Sequence, residues 1–382
     1  MVILKKYGFL CTLLVIGCLF SLSSCRDEKR GVVSDDVQLR SLPLQYATHF
    51  HVEEAPFGYV ATIYAGEEDS NVSFRYALVR DDSYRLPEDA RKINIPIDRM
   101  GTNSGTLFEF LRLLGVLNKV VATCDVNYLY SDDVREKVRR GDIVPLGSSF
   151  DINAEKVLVA HPDVLFLSDL RDDPHTDACP VVHNFEWKEP SALARAEWIK
   201  FISLFFDKYA VADSIFQTIE QRYMDLKKLT DTVRVRPTVF AAGMYGDTWY
   251  LTGGKGFMSK LYEDAGGTYL LSDTLVPTVT CGTEWLLAQY AEADFWMNCG
   301  MVRKVDLDPR LRQMKSYKND NVYHFQKREK LLDGIHITDF YESAVAQPDV
   351  LLSDLISIFH PELLPNCPTV YVGRCESEGD RR

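Results

Sequence analysis

The chain has 382 residues, of which 46% are hydrophobic and 26% are charged, values typical of a globular protein. Its formal net charge of −12 argues against nucleic-acid binding, which needs a basic surface. The length is sufficient for two lobes of ordinary domain size.

The first 25 residues have the features of an export signal. Two lysines precede an apolar run from residue 9 to residue 22, which is too short to span a membrane as a mature helix. The next residues, Ser23-Ser24-Cys25, resemble the end of the bacterial lipoprotein box, in which the cysteine receives lipid. We predict a signal peptide at 1–24, lipidation of Cys25 and a flexible tether at 25–40. The alternative is an uncleaved membrane anchor with a chance cysteine.

The cysteines beyond Cys25 are even in number, which permits disulfides outside the cytoplasm. Their spacing is not that of a metal site, and the sequence leaves their pairing open. They are Cys124, Cys179, Cys281, Cys299, Cys367 and Cys375.

An N-terminal lobe is predicted over residues 41–208. Alternating apolar and polar residues within 49–80 indicate a β-hairpin, and residues 93–97 alternate into a further strand. Helices and short apolar strands then alternate, with Ser104 and Asn153 expected to cap two of the helices. This alternation indicates a mainly parallel sheet flanked by helices.

A single long helix, at residues 209–232, is predicted to join this lobe to a second one. Its apolar residues recur at helical spacing, without glycine or proline, over a length of roughly 33 Å. Strands and helices alternate again in the C-terminal lobe, residues 233–365, where Thr283 is expected to cap a helix and 322–325 to form the last strand. A tail follows at 366–382.

The predicted fold is therefore α/β, with two lobes, each a mainly parallel sheet flanked by helices, joined by one long backbone helix. Because a continuous helix resists bending, we expect modest movement of the lobes.

Several short motifs occur in a characteristic order between about residues 90 and 365. In the N-terminal lobe they are Glu109 six residues before Gly115, Lys119-Val120-Val121, Gly147, Asn153-Ala154-Glu155 and Pro162-Asp163-Val164-Leu165. In the C-terminal lobe they are Gly253-Gly254-Lys255, Leu261-Tyr262-Glu263-Asp264-Ala265-Gly266-Gly267 and Thr283-Glu284. In this order the chain resembles the solute-binding lipoproteins of ABC importers for iron complexes and vitamin B12.

The resemblance implies two docking residues for a membrane permease, one in each lobe. In such proteins a surface glutamate of each lobe contacts arginines of the permease, and the matching positions here are Glu109 and Glu263. Both are expected to face outward, opposite the apolar stripes of their helices. Exposed ion pairs contribute only about 0–1 kcal/mol, so these would fix orientation more than affinity.

Solute is expected in a cleft between the lobes, at loops that follow the carboxyl ends of the strands. Candidate ligand-binding residues are Asn103, Tyr128, Tyr130, Ser149, Phe150, Tyr245, Trp249, Tyr250, Arg328, His336 and Tyr341. Aromatic rings bury large areas at little entropic cost and suit flat or macrocyclic ligands. Trp249 and Tyr250 could equally alternate along a core strand.

Departures from the family pattern bear on the identity of the solute. Relatives that bind vitamin B12 carry cleft tryptophans at positions matching Ser149 and Thr278, and haem-binding relatives carry a tyrosine at the position of Ser148. A siderophore-type ferric chelate is therefore the first expectation, followed by a corrinoid and then haem. Arg328, Lys327 or Lys330 would serve an anionic chelate.

The implied function is capture of an iron complex and its delivery to the permease subunits of an ABC importer. The protein is expected to be a monomer, bound to a membrane through its lipid and most simply on the periplasmic face. No catalytic constellation, resident cofactor, metal site or nucleic-acid partner is expected. Two alternatives stay open: a lipid-anchored chelatase-like enzyme, and a cell-surface receptor, since Arg26-Asp27-Glu28 resembles an acidic surface-export tag.

Overall fold

The computed structural model describes residues 38–66, 72–170, 178–274, 276–300 and 308–375. The predictions for the signal peptide, for Cys25, for most of the tether and for the end of the tail lie outside the described residues.

The chain begins with a five-stranded sheet, in the order β1-β2-β3-β4-β5. Its strands are β1 (Arg40–Ser41), β2 (Phe50–Ala55), β3 (Gly58–Tyr64), β4 (Ser73–Val79) and β5 (Arg91–Asn94). The predicted hairpin is the antiparallel pair β3–β4, and β5 joins β4 in parallel. Val52 and Ile63 pack on the core of the N-terminal lobe, whereas Val60 and Ala77 pack with Phe57 on the opposite face.

A second sheet forms the centre of the N-terminal lobe. All of its strands are parallel, in the order β12-β11-β6-β7-β8, and their carboxyl ends therefore share one edge. The strands are β6 (Met100–Thr102), β7 (Val120–Thr123), β8 (Val144–Pro145), β11 (Val164–Leu167) and β12 (Val181–His183), and a short hairpin, β9 (Gly147–Ser148) and β10 (Asp151–Ile152), follows β8.

Helices α1 (Leu107–Leu113), α2 (Asp132–Arg140) and α3 (Ala154–Ala160) connect these strands. The cap at α3 is confirmed, because the side chain of Asn153 accepts a hydrogen bond from the amide of Lys156. The cap at α1 is wrong. That helix begins after Thr106, and Ser104 contacts the Thr106 hydroxyl instead, at 2.9 Å.

Helix α4 (Ala192–Leu204) is buried on every side, because the first sheet covers it on one face and the lobes on the others. Two buried carboxylates, Glu197 on this helix and Glu189 just before it, accept hydrogen bonds from the extended segment that leads into β2. Glu197 accepts hydrogen bonds from the backbone amides of residues 45–47, and Glu189 accepts them from residues 48 and 49. The first sheet is thereby fixed to the N-terminal lobe.

Helix α5 (Tyr209–Thr230) is the predicted backbone helix, and its 22 residues run without interruption. Its first half contributes Ala212 and Phe216 to the core of the N-terminal lobe, and its second half contributes Tyr223 to the core of the C-terminal lobe. One helix therefore stabilises both lobes through apolar burial.

The C-terminal lobe is built around β13, which pairs in parallel with β15 and β17 and antiparallel with β14; β16 in turn pairs antiparallel with β14. These strands are β13 (Thr238–Tyr245), β14 (Thr248–Thr252), β15 (Thr268–Tyr269), β16 (Thr278–Cys281) and β17 (Phe295–Met297), and the helices are α6 (Phe257–Asp264), α7 (Thr283–Tyr290) and α8 (Lys315–Lys318). The predicted Thr283 cap is wrong: the cap residue is Gly282, and the Thr283 hydroxyl accepts a hydrogen bond from the indole of Trp249 at 3.1 Å.

The strand predicted to be last, β18 (Tyr323–His324), is followed by further structure. This comprises β19 (Glu329–Leu332), β20 (Ile335–Thr338), α9 (Phe340–Ser343), α10 (Pro348–Phe359) and β21 (Gly373–Arg374). A disulfide between Cys299 and Cys375 ties the end of the described chain to the residues after β17. The sequence had left this pairing open.

Candidate functional site

The candidate site is expected where the carboxyl edge of the central sheet in the N-terminal lobe faces the C-terminal lobe. The segments after β7, β8 and β12, and residues 168–170 after β11, share the carboxyl edge of the N-terminal sheet, and the β13–β14 turn and the chain after β18 are the C-terminal segments expected to face them. Hydrogen bonds join residues 130–131 to Glu342, and an ion pair joins Asp132 to Lys330. These contacts join the two lobes. We call the region between the two sets of segments the interlobe cleft.

Exposed aromatic side chains occur in both lobes, within or next to these segments. They are Tyr128, Phe150 and Trp187 in the N-terminal lobe, and Tyr245, Tyr250 and Tyr341 in the C-terminal lobe. Five of the six were candidate residues. The sixth, Trp187, was missed; it follows β12, and its indole donates to the carbonyl of Ser168, the first residue after β11. Recognition of β12 as a strand would have identified this loop.

Asn103 and Ser149 shape the loops of the N-terminal side. Asn103 is buried, and its amide side chain accepts a bond from the backbone of Ser168 and donates to Asp169. The backbone amide of Ser149 donates to the carboxylate of Asp125 at 3.1 Å. Both residues therefore fix the edge on which the aromatic rings stand.

Trp249, a candidate ligand-binding residue, lies in the core of the C-terminal lobe and is not accessible to a solute in this arrangement. Its side chain is 0% exposed and meets Trp296 edge to face, with ring centroids 5.5 Å apart. Its neighbour Tyr250 points to the opposite face of β14 and is exposed. The strand alternation thus assigns one residue to the core and one to the surface.

Residues 328–347, which we call the strap, leave the C-terminal lobe and contact the N-terminal lobe. At their centre the buried carboxylate of Glu342 accepts hydrogen bonds from the amides of Tyr130 and Ser131 and from the Ser131 hydroxyl. Burial raises the pKa of Glu342 above its ordinary value, although these bonds oppose the shift.

Two of the three cations expected to receive an anionic ligand already have partners, one within the strap and one across the lobes. Arg328 lies 2.9 Å from the buried carboxylate of Asp339. Lys330 lies 2.8 Å from Asp132, donates to the carbonyl of Tyr130 and stands 4.2 Å above the ring of that tyrosine. His336 pairs with Glu329 at 3.5 Å. Tyr130, a candidate ligand contact, is therefore held inside the seam between the lobes.

The two candidate docking glutamates differ sharply in exposure. Glu263 is exposed on α6, as predicted. The predicted outward orientation of Glu109 is wrong: it is only 7% exposed, because Arg112 pairs with it and Gln347 of the strap donates to it at 2.6 Å. The strap covers the helix face that the sequence of α1 alone leaves free.

A groove of about 500 Å³ lies away from the cleft, between α5, α10 and residues 367–370. Leu226, Val350 and Pro368 form apolar walls, with Arg222 and Asp349 at one end. None of the predicted ligand-binding residues lines it.

Two kinds of feature, a metal-binding group and a membrane-spanning helix, are not found in the described part of the chain. No group of histidine, cysteine, aspartate or glutamate side chains is arranged to hold a metal ion in residues 38–66, 72–170, 178–274, 276–300 and 308–375. Within the same ranges, no helix combines the length and apolar character needed to cross a bilayer.

Comparison with known proteins identifies relatives of the same architecture. The family described as "Periplasmic binding protein" matches residues 103–329, which leaves the first sheet and most of the strap outside the match. An uncharacterized lipoprotein of Methanocaldococcus jannaschii is 21% identical, covering 93% of this chain and 95% of its own length. A second lipoprotein of that organism is 22% identical, covering 73% and 69%.

Solved structures with this fold include binding proteins for different solutes. The vitamin B12 binding protein BtuF of Vibrio cholerae has a TM-score of 0.52 at 14% identity, covering 71% of this chain and 99% of its own. A periplasmic heme binding protein of Pseudomonas aeruginosa has a TM-score of 0.54 at 15% identity, covering 74% and 99%. The siderophore binding protein BauB has a TM-score of 0.53 at 15% identity, covering 69% and 93%.

Proposed function

Since the chain belongs to the periplasmic binding protein family, we propose that it is a lipid-anchored solute-binding protein that captures an iron complex between its lobes and delivers it to an ABC importer. The observation that carries this proposal is the set of exposed aromatic rings in the segments of both lobes that are expected to face the cleft. Such rings bury large apolar faces of a ligand with little loss of side-chain freedom.

The proposed solute is a siderophore-type ferric chelate, with a corrinoid as the alternative and haem after it. Proteins of this fold include one named for vitamin B12, one bound to a complex of acinetobactin and ferric iron, and one named for heme. The chain itself carries Ser148 and Ser149 where haem- and corrinoid-binding relatives are expected to carry aromatic residues.

Docking on a permease is proposed to use Glu263, which is exposed on the C-terminal lobe. Glu109 is left out of this proposal for the arrangement described, since Gln347 and Arg112 occupy its carboxylate. A Glu263→Lys variant should lose uptake while it keeps its solute affinity.

The anchor is proposed to be lipid on Cys25, with the protein on the periplasmic face of a membrane. Two relatives described as lipoproteins support this placement. Protease treatment of intact cells tests the alternative location on the cell surface, where the protein would be cleaved.

The test of function is purification from the native cells, followed by native mass spectrometry and absorbance spectroscopy. A bound mass that contains iron, with the absorbance of a ferric chelate, is expected, and it should be released unchanged. A corrinoid or haem spectrum would overturn the choice of solute. Chemical conversion of the chelate by the protein would favour the enzyme alternative.

A matched pair of variants tests the cleft. Tyr245→Ala should weaken solute binding about tenfold, roughly 1.4 kcal/mol. Tyr84→Ala removes an exposed tyrosine near the first sheet and should leave affinity unchanged. Equal affinity in both variants would remove Tyr245 from the binding surface.

A further inference from the structure

We infer that the cleft takes a solute without net negative charge, because the cations expected there already have partners: Arg328 within the strap, Lys330 across the lobes and Lys327 within the C-terminal lobe. This inference rests on the proposed function, since it concerns the solute held in the same cleft. It follows from the partners of three basic side chains, and one of these, Lys330, loses its carboxylate partner through a single substitution at Asp132.

Arg328 stands at the C-terminal side of the cleft, where a guanidinium could bind a carboxylate or catecholate oxygen. Asp339 lies 2.9 Å away and is only 4% exposed, so the arginine is its charge partner. Removal of Arg328 to a ligand would leave a buried carboxylate without its cation, which is costly. The pair therefore presents no net charge to a solute.

Lys330 is committed through three contacts at once. It pairs with Asp132, donates to the backbone carbonyl of Tyr130 and covers the ring of that residue. All three partners belong to the N-terminal lobe, so an anionic solute that attracted Lys330 would have to break the seam between the lobes.

Lys327, the third cation expected to serve an anionic chelate, points away from the seam. Its ammonium group donates to the hydroxyl and the backbone carbonyl of Thr369 in the C-terminal lobe. Asp247 in the β13–β14 turn and Glu329 on the strap are exposed carboxylates of the same region.

The binding experiment compares four probes at low ionic strength, where charge effects are least screened. They are a neutral ferric trihydroxamate, a trianionic ferric tris-catecholate, uncharged cyanocobalamin and dicarboxylate haemin. Titration of the full mature protein, followed by quenching of its intrinsic fluorescence, gives each Kd. The uncharged member that binds best should bind at least tenfold more tightly than either anionic probe.

Two variants locate the cause of the discrimination. Asp132→Asn removes the carboxylate that neutralises Lys330 and should tighten binding of the ferric tris-catecholate about three- to tenfold, without a change for the uncharged probes. Asp132 is 79% exposed in its side chain, so folding should be unaffected. Asp133→Asn is the control, because Asp133 pairs with Arg112 outside the strap and should change neither Kd.

Each outcome decides between the inference and the proposed function. An anionic probe that binds as tightly as the uncharged ones overturns the inference and leaves the proposed function intact. Binding of cyanocobalamin without either ferric chelate supports the inference and overturns the choice of an iron complex. Binding of none of the four probes overturns both.

Discussion

The two lobes are joined twice, and the two connections differ in chemistry. Helix α5 is continuous, and its apolar face places Phe216 in one core and Tyr223 in the other. The strap crosses the cleft through a buried carboxylate, two backbone amides, a hydroxyl and one lysine ion pair. Apolar burial is insensitive to small displacements, whereas hydrogen bonds weaken steeply with distance and angle. We therefore expect the helix to hold the two lobes together, and the strap to determine the distance between them.

The largest effect should follow from a cavity in the helix. Phe216→Ala removes a fully buried ring and should lower the free energy of unfolding by about 3–5 kcal/mol, measured by urea denaturation. Ser214→Ala on the exposed side of the same helix is the control and should change it by no more than about 0.5 kcal/mol. Similar values for the two variants would show that the helix is not anchored through Phe216.

Loss of the central carboxylate of the strap should have a smaller, local effect. Glu342→Gln should destabilise the seam by about 1–3 kcal/mol, because Glu342 accepts hydrogen bonds on both carboxylate oxygens and glutamine has only one acceptor oxygen. Hydrogen exchange of the Tyr130 and Ser131 amides should accelerate about tenfold for each 1.4 kcal/mol, while amides of α5 stay protected. Glu329→Gln, on the exposed part of the strap, should leave all of these rates unchanged. Unchanged exchange in Glu342→Gln would contradict the assigned role of the strap.

The ion pair at the edge of the seam should contribute least to stability. Lys330→Met keeps the apolar stem of the side chain and removes a partly exposed pair with Asp132, for which about 0–1 kcal/mol is expected. Lys327→Met is the control, because that lysine bonds within its own lobe. A loss above about 2 kcal/mol would mean that Lys330, rather than Glu342, is the main contact of the strap.

The pH dependence of stability offers the smallest signal. Burial raises the folded-state pKa of Glu342 above its ordinary value of 4.5. The folded protein then binds this proton more tightly than the unfolded chain, so the stabilising contribution is complete below the unfolded pKa. It is lost as the pH rises through the raised folded pKa. The difference in unfolding free energy between the native protein and Glu342→Gln should therefore shift in favour of the native protein on acidification. A shift in the opposite direction would contradict the raised pKa.

The helix was predictable from the sequence and the strap was not, for a physical reason. Residues 209–230 carry helical periodicity without glycine or proline, so local information defines the helix to within a residue or two at each end. The strap depends on contacts with residues some 200 positions away, such as Glu342 with Ser131. One local signal was overlooked: Asp333-Gly334 between two strands is a strong hairpin turn.

The candidate site was predicted in part. Loop positions after strands correctly gave exposed Tyr128, Phe150, Tyr245 and Tyr341. The orientation of Glu109 was wrong because the periodicity of α1 describes only its own lobe, and Gln347 approaches from the other. The alternation at Trp249 and Tyr250 was recognised, but the sequence did not specify which residue faced inward.

The first sheet is attached to the N-terminal lobe through the buried carboxylates of Glu189 and Glu197. Five successive amides, from Gln45 to His49, end on these two side chains, which are nearly or wholly inaccessible to solvent. Deleting the leading strands would remove these five donors and uncover both side chains, with Lys200 still bonded to Glu197 and the Trp198 indole to Glu189. The leading region therefore contributes to the stability of the body that it covers, and a chain that lacks it should unfold at a lower urea concentration.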